Sequence, residues 1–362
     1  MNVGEIITYI MLVFAIIGCI DKAFGSKFGF GNSFERALSS IGPLILAMVG
    51  PMAAAPLIAK YVAPALAPVC TALGIDPSVT AGLLFASDAG GWPLATALAQ
   101  DELVGKFAGS VMASMMGCTI LGAFPLLFML IPKEKITLAA KGLTIGFITI
   151  PFGCFIGGLC TEGLNIGKLL LNMLPVIALS ALFVVGLTFF EKVTLKIVTI
   201  FGYVITALVL FVLGATMVIK VLKLNVTDLD TFDNSLLIIG GIAIFLCGAF
   251  VFLDIIQKLF GKYFGKIGEK IGLDEASVIG LVTTVVNAIP MFDMTKKMSD
   301  RGVIVNIAFL VCASYVMGDH LAFQTAVDTS MAVPLIVGKL SGGILGVIIA
   351  LYVTRPKKEK TA

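Results

Sequence analysis

Charge is what this chain has least of. Of its 362 residues 13% are charged and 59% are hydrophobic, whereas a soluble domain carries about 25% charged residues. That composition excludes a water-soluble enzyme or a nucleic-acid-binding domain and makes a lipid bilayer the solvent. Period-two alternation is also absent, so the apolar runs read as helices and not as barrel strands. There is one histidine, His320, and none of the seven cysteines falls in a CxxC pair, which removes zinc and iron–sulfur frameworks. No GxxxxGK[ST] phosphate loop occurs; residues 163–168 come nearest, one residue short and followed by Leu169. A nucleotide site in this chain is therefore unsupported. No Ser-His-Asp or Cys-His spacing supports enzymatic chemistry either. The expectation is an all-α polytopic membrane protein, a single domain over residues 1–362, with no metal.

Against this apolar background stands the stretch 74–102, GIDPSVTAGLLFASDAGGWPLATALAQDE. Its centre, Ser87-Asp88-Ala89-Gly90-Gly91-Trp92-Pro93, is not what a simple spanning helix places at membrane depth. Pro93 lacks an amide hydrogen and the glycines weaken the turn before it. Two half-helices or a re-entrant hairpin are expected, with Asp88 at a break where main-chain groups can meet a ligand. A loop with a solvated Asp88 is the plainer alternative.

The first apolar run, up to Ile20, has no basic leader and no small-x-small cleavage site, and is read as a retained membrane helix. The next, over residues 38–59, contains Pro43, Pro51 and Pro56 and is expected to kink or break. Pro64 and Pro68 mark a connection after it. Further spans are expected at 103–131, where Gly105 and Gly109 form a GxxxG pair, and at 141–159, 169–190, 196–219 and 236–256. A basic link follows, in which Lys258, Lys262, Lys266 and Lys270 recur with helical spacing, as in a helix lying on an anionic membrane surface. Residues 303–317 form a short span, and 321–353 is too long for one simple helix. Either a single tilted helix begins there with polar turns, or Pro334 and Gly342-Gly343 divide it. The basic tail, 355–360, is expected in the cytoplasm.

Segment 273–297 repeats the theme of 74–102. Gly74-Ile75-Asp76 is answered by Gly272-Leu273-Asp274, and Gly82-Leu83 by Gly280-Leu281. With a slip of one residue Asp88 aligns with Asn287, which opens Asn287-Ala288-Ile289-Pro290-Met291-Phe292-Asp293. Repeat halves at 38–131 and 236–353 are implied. With both broken segments as ordinary spans the chain has about eleven membrane segments; with both re-entrant it crosses about nine times. In the second arrangement Lys and Arg concentrate on one side, as the positive-inside rule demands. One hairpin then enters from each face, an inverted repeat suited to alternating access.

Charged groups in a bilayer cost several kcal/mol unless they meet a partner or a water-filled path, so transport is the default function. The candidates at membrane depth are Asp88, Asn287, Asp293, Asp319, Asp328 and Lys339, with Glu162 and Asn165 at a helix end. Acids outnumber bases, which favours a small cation. Asp88 can hold an ammonium through charge-assisted hydrogen bonds while Trp92, the only Trp, offers a ring face. An interfacial anchor is the other role for Trp92. Asp293 can instead pair with Lys296 or Lys297, and Lys339 can snorkel or neutralise Asp328.

The segments GLLFASDAGGWPLA, GIDPSV, GCTILGAFPL and NAIPMFDMTKKM resemble the ethanolamine permease family found with bacterial ethanolamine-utilisation operons. The resemblance extends over essentially the whole chain. It implies ethanolamine uptake across the inner membrane, feeding breakdown in the cytoplasm, with no covalent chemistry and no organic cofactor in this chain. On that reading the substrate-binding set is Asp88, Trp92, Asn287, Asp293, Gln324 and Asp328. Asp88, and secondarily Asp293 or Asp328, balances the ammonium, and Asn287 or Gln324 holds the hydroxyl. Facilitated diffusion of the protonated substrate is the expected mode. Proton- or sodium-coupled transport, or a channel for another small amine, is the alternative, and a membrane enzyme is a more remote one. Glycine-rich faces are compatible with a homo-oligomer.

Overall fold

In a bilayer every main-chain N–H and C=O must find a partner inside the protein, and this chain meets the demand with helices. A computed structural model describes residues 3–124, 127, 130–224, 226 and 232–355, with no strand among them. Among the described residues eight helices are long and apolar enough to cross a membrane: Val3–Ala23, Phe30–Leu57, Glu102–Ala123, Lys133–Leu159, Ile166–Phe189, Glu191–Leu222, Phe232–Phe260 and Thr329–Val353. The protein is an all-α polytopic membrane protein. The rest of the apolar sequence lies in shorter pieces, and these build the site.

Helix α1 is Val3–Ala23, α2 is Phe30–Ser39 and α3 is Ile41–Leu73. Pro51, Pro56, Pro64 and Pro68 all lie inside α3, so Pro64 and Pro68 do not mark a connection as expected. Within a membrane the carbonyls that proline frees are satisfied by neighbours and local adjustment, and the helix continues. Gly74, at φ +66, then reverses the chain, and the Ile75 N–H bonds back to the Cys70 carbonyl at 2.9 Å, a glycine-ended helix terminus.

The Asp76 carboxylate accepts the N–H groups of Ser78 at 2.9 Å, Gln100 at 3.0 Å and Asp101 at 2.8 Å. It thereby clasps both ends of a hairpin. Between those ends lie α4 (Ser78–Leu84) and α5 (Trp92–Leu98), separated by a break in which Ala89 and Gly90 leave helical geometry. Pro93 sits in the first turn of α5, where a missing N–H costs little. Helix α6, Glu102–Ala123, is capped by the Asp101 side chain and is wound in wide π-type turns over Ala108–Gly117 and Thr119–Ala123. Such winding is rare and concentrates at functional sites.

Helices α7 (Ile136–Leu159), α8 (Ile166–Phe189) and α9 (Glu191–Leu222) follow. Helix α10 runs without interruption from Phe232 to Ile271, 40 residues, or about 60 Å. The basic link is thus the continuation of a spanning helix and not a separate one on the surface. Its Lys258 ammonium donates to the Phe28 carbonyl at 2.7 Å and lies 4.3 Å from the Phe30 ring centroid.

The second hairpin opens as the first does. Gly272 has φ +68, and the Leu273 N–H bonds to the Gly268 carbonyl at 2.9 Å. The Asp274 carboxylate accepts the Ser277 and Ser299 N–H groups at 2.9 Å each and the Ser299 hydroxyl at 2.6 Å. Burial alone would raise the Asp274 carboxyl, but the bonds from Ser299 and Ser277 outweigh it and hold it at about 2. This clasp therefore contributes fully above the ordinary carboxylate range and loses its contribution as the pH falls toward about 2. Within the hairpin lie α11 (Glu275–Thr284) and α12 (Ile289–Met294).

Helix α13, Asp300–Ala313, ends before the expected limit of residue 317. After it come α14 (Asp319–Val327) and α15 (Ala332–Val353). The division expected at Pro334 and the paired glycines falls instead at Asp328, whose side chain caps the turn before α15. Pro334 lies in the first turn of α15, where it is tolerated. Helices α7 and α15 meet through glycine: a Cβ on Gly153 would lie 2.8 Å from the Gly338 carbonyl oxygen, and one on Gly157 2.8 Å from that of Pro334.

Asp76→Ala strands buried donors at a cost of about 1–3 kcal/mol each. Its unfolding midpoint in detergent, followed by the fluorescence of the sole tryptophan, should fall well below that of a variant at exposed Glu134. Equal midpoints would contradict the clasp.

Candidate functional site

The break in the first hairpin is held from both sides by close backbone contact. Gly90 has φ +96, and a Cβ there would lie 2.7 Å from the Cβ of Pro51 in α3. On the other side a Cβ on Gly117 of α6 would come within 1.9 Å of the Phe85 carbonyl oxygen. Glycine is required at both positions for this approach. At the second break Gly318 plays the matching part, its Cβ position 2.0 Å from the Val286 carbonyl oxygen. Residues 314–318 run alongside that break: the Tyr315 N–H bonds to the Thr284 carbonyl at 3.0 Å and the Met317 N–H to that of Val285 at 2.9 Å. The second hairpin thus fixes where α14 begins, and α14 packs on the first break.

Asp88, Asp319 and His320 meet there. His320 Nε2 lies 3.8 Å from Asp88 Oδ1, beyond hydrogen-bond reach, and the Tyr315 ring centroid is 5.3 Å from that of His320. Asp319 opens α14 one residue before His320. The Asp88 side chain keeps 17% exposure and that of His320 only 2%. The carboxylate keeps some free surface while the imidazole is sealed. His320 Nδ1 and Gln324 Oε1 are buried without a hydrogen-bond partner, and their spacing puts them on one face of α14. Trp92 packs against two apolar cores, one built around α6, α7 and α13 and one around α1, α3 and α10.

Behind the break, Lys339 of α15 is fully buried and donates to the Ser114 carbonyl at 2.6 Å. It neither snorkels nor neutralises Asp328. That carboxylate is held at the far end of α14 by Lys106 at 3.3 Å and by the Ser330 N–H at 2.9 Å. The charge of Lys339 reaches Asp88 and His320 instead. Among the described residues no cluster of His, Cys, Asp and Glu is suited to a metal ion.

A family profile described as ethanolamine utilisation protein, EutH, matches residues 3–353. The chain belongs to the EutH family. EutH relatives include a probable ethanolamine permease of Listeria monocytogenes, 42% identical over 99% of this chain and 96% of the relative. One from Escherichia coli with the same name is 34% identical over 100% of this chain and 98% of the relative. YxeR of Bacillus subtilis, an uncharacterized protein, is 34% identical over 99% and 97%. The EutH relatives so named are permeases, transporters and not enzymes. No solved structure matches the chain.

Of the six residues expected from sequence, the EutH fold brings Asp88 and Trp92 to the first break and sets Gln324 one turn beyond His320. It places the other three elsewhere. Asn287 accepts the Ile289 N–H at 2.9 Å and lines a separate cavity of about 360 Å³ with Arg36, Asp254, Gln257 and Thr283. Asp293 is 62% exposed and pairs with Lys296 at 3.4 Å. Asp328 belongs to the Lys106 pair. Asp319 was a candidate at membrane depth but outside the substrate-binding set, and His320 had no assigned role; the available signal was the chain's lone histidine beside an acid in an apolar stretch.

Gly117→Ala must displace the Phe85 carbonyl and should shift Trp92 emission and lower stability. At Gly122 the nearest atom to a new Cβ is Cys118 Sγ at 3.9 Å, so Gly122→Ala should change neither. Identical emission spectra for Gly117→Ala and the unmodified protein would contradict the packing of the break.

Proposed function

We propose that the protein carries ethanolamine across the bacterial cytoplasmic membrane as its ammonium ion, by facilitated diffusion, with Asp88 as the counter-charge. The observation that carries this reading is a partly exposed carboxylate at a main-chain break, in a chain whose relatives are named ethanolamine permeases. Ethanolamine is mostly protonated near neutral pH, and the charged form crosses lipid poorly while the neutral form leaks through. A carrier for the charged form must replace its hydration with a carboxylate and hydrogen-bond partners. Asp88 supplies the first, Trp92 a ring face, and the unpaired Gln324 Oε1 an acceptor for the hydroxyl.

The two clasped hairpins support a carrier over a static pore. Both begin with a left-handed glycine and an aspartate that binds the chain about 25 residues on. We read 38–131 and 236–353 as the halves of an inverted repeat, with the site at their junction and access alternating as one half rocks on the other. The cytoplasmic placement of the basic tail rests on charge alone, since 356–362 lie outside the described residues. Asp319 beside Asp88 favours one second reading, entry of a proton with the substrate.

In proteoliposomes at pH 6, Asp88→Asn should abolish saturable uptake of labelled ethanolamine or weaken its apparent affinity roughly tenfold or more. Asp293→Asn should transport as the unmodified protein does. Unchanged affinity and rate in Asp88→Asn would overturn the assignment of Asp88. Raising the pH to 9 should shrink the protein-dependent share of uptake, because more substrate then crosses as the neutral form; a share that grows would point to transport of the neutral amine.

A further inference from the structure

Helix α14 is a strut between the first break and one edge of the membrane. It has nine residues, about 13 Å of helix, against a hydrocarbon core about 30 Å thick. At its near end His320 faces Asp88. At its far end Asp328 stands just before the spanning segment Thr329–Val353, and Lys106 lies in the second turn of the spanning segment Glu102–Ala123. The two side chains meet there at 3.3 Å. Asp328 is also tied to α14: its carbonyl accepts from the Gln324 side-chain amide at 3.0 Å, and its N–H donates to the Gln324 carbonyl at 2.8 Å. Between this pair and Asp88 the helix is sealed, with His320 2% exposed and Leu321, Ala322, Phe323 and Gln324 each 0% exposed.

Stability alone does not account for the pair. A partly exposed ion pair contributes little to folding, and each member has other partners. Lys106 donates to Glu102, one turn back on α6, at 2.9 Å. Asp328 accepts the Ser330 N–H at 2.9 Å and the Ser330 hydroxyl at 2.6 Å. Neither charge is stranded when the contact parts, so the pair can open and close at small cost. What the contact does is join the two proposed halves, Lys106 from 38–131 and Asp328 from 236–353, at the edge from which α14 leads to Asp88.

We propose that Lys106 and Asp328 form a gate on this face of the protein. Closed, as in this structure, the pair holds the far end of α14 against α6 and shuts the way to Asp88. When the halves rock, the pair parts, Lys106 keeps Glu102, Asp328 keeps Ser330, and Gln324 comes into reach of water. The inference rests on the reading of Asp88 as the substrate's counter-charge and of the two segments as rocking halves.

The test is a reversible link across the pair. In a protein whose exposed Cys19 and Cys160 are replaced by serine, Lys106→Cys and Asp328→Cys together are joined, before reconstitution, by a short bifunctional thiol reagent that a reductant cleaves. Uptake of labelled ethanolamine should stop on linking and return on reduction. The same reagent on Lys106→Cys with Glu102→Cys, one turn apart on a single helix, should leave uptake as it was before linking. Undiminished uptake in the protein linked across the pair would overturn the gate and leave the Asp88 reading standing. Normal uptake in Asp88→Asn would remove that reading itself. Should the double-cysteine protein be inactive before linking, Lys106→Gln decides. It should speed the modification of Gln324→Cys by a charged, membrane-impermeant thiol reagent about two- to fivefold, the shift expected from losing a partly exposed ion pair, while Lys106→Arg should not. Equal rates in Lys106→Gln and Lys106→Arg would refute the gate.

Discussion

The structure depends on two carboxylates that sit away from the proposed substrate. Irregular backbone at membrane depth is tolerated only where protein, and not lipid, satisfies its polar groups. Asp76 and Asp274 supply that satisfaction by taking two or more main-chain N–H groups from chain segments on both sides of a hairpin. With each hairpin closed at its base, its tip can depart from helical geometry without unravelling. Glycines then bring the following helical segments onto the exposed carbonyls, Gly117 on Phe85 and Gly318 on Val286. What remains at the first break is one carboxylate with some free surface beside a sealed imidazole.

The electrostatics follow from that enclosure. In water a carboxylate and an imidazolium 3.8 Å apart would interact by only about 1 kcal/mol. Away from water such a pair acts more strongly, which ties the first hairpin to α14. The two hairpins meet through it: the second fixes the start of α14 by main-chain bonds at Thr284 and Val285, and α14 delivers Asp319 and His320 to the first. A shift in the second hairpin would therefore move the start of α14, and His320 with it, against the first.

Local chain grammar made much of this legible in the sequence. The Gly-x-Asp openings and the Ser-Asp-Ala-Gly-Gly-Trp-Pro break encode their geometry within a few residues, and both appear where the sequence places them. Properties set by surroundings were not legible. The prolines of α3 read as stops because their tolerance comes from the membrane, and the basic link read as a surface helix because nothing local tells a helix to continue past the bilayer edge. Asp293 and Asp328 looked like site residues until Lys296 and Lys106 were seen beside them. His320 reaches Asp88 only through the second hairpin, a relation that spans most of the chain and leaves no mark in either segment. Lys339 likewise gains its meaning from Ser114 and the break, not from its own helix.

The most direct test of the account is the charge carried per substrate. In sealed proteoliposomes at pH 6, tracer uptake and electrical current should be measured together under imposed voltages. The account predicts one positive charge moved per ethanolamine, with accumulation that stops at the substrate's own electrochemical equilibrium and ignores imposed proton and sodium gradients. Uptake without current would contradict transport of the ammonium ion. Accumulation beyond equilibrium under an ion gradient would contradict facilitated diffusion and move one of the two acids at the break to the coupling ion.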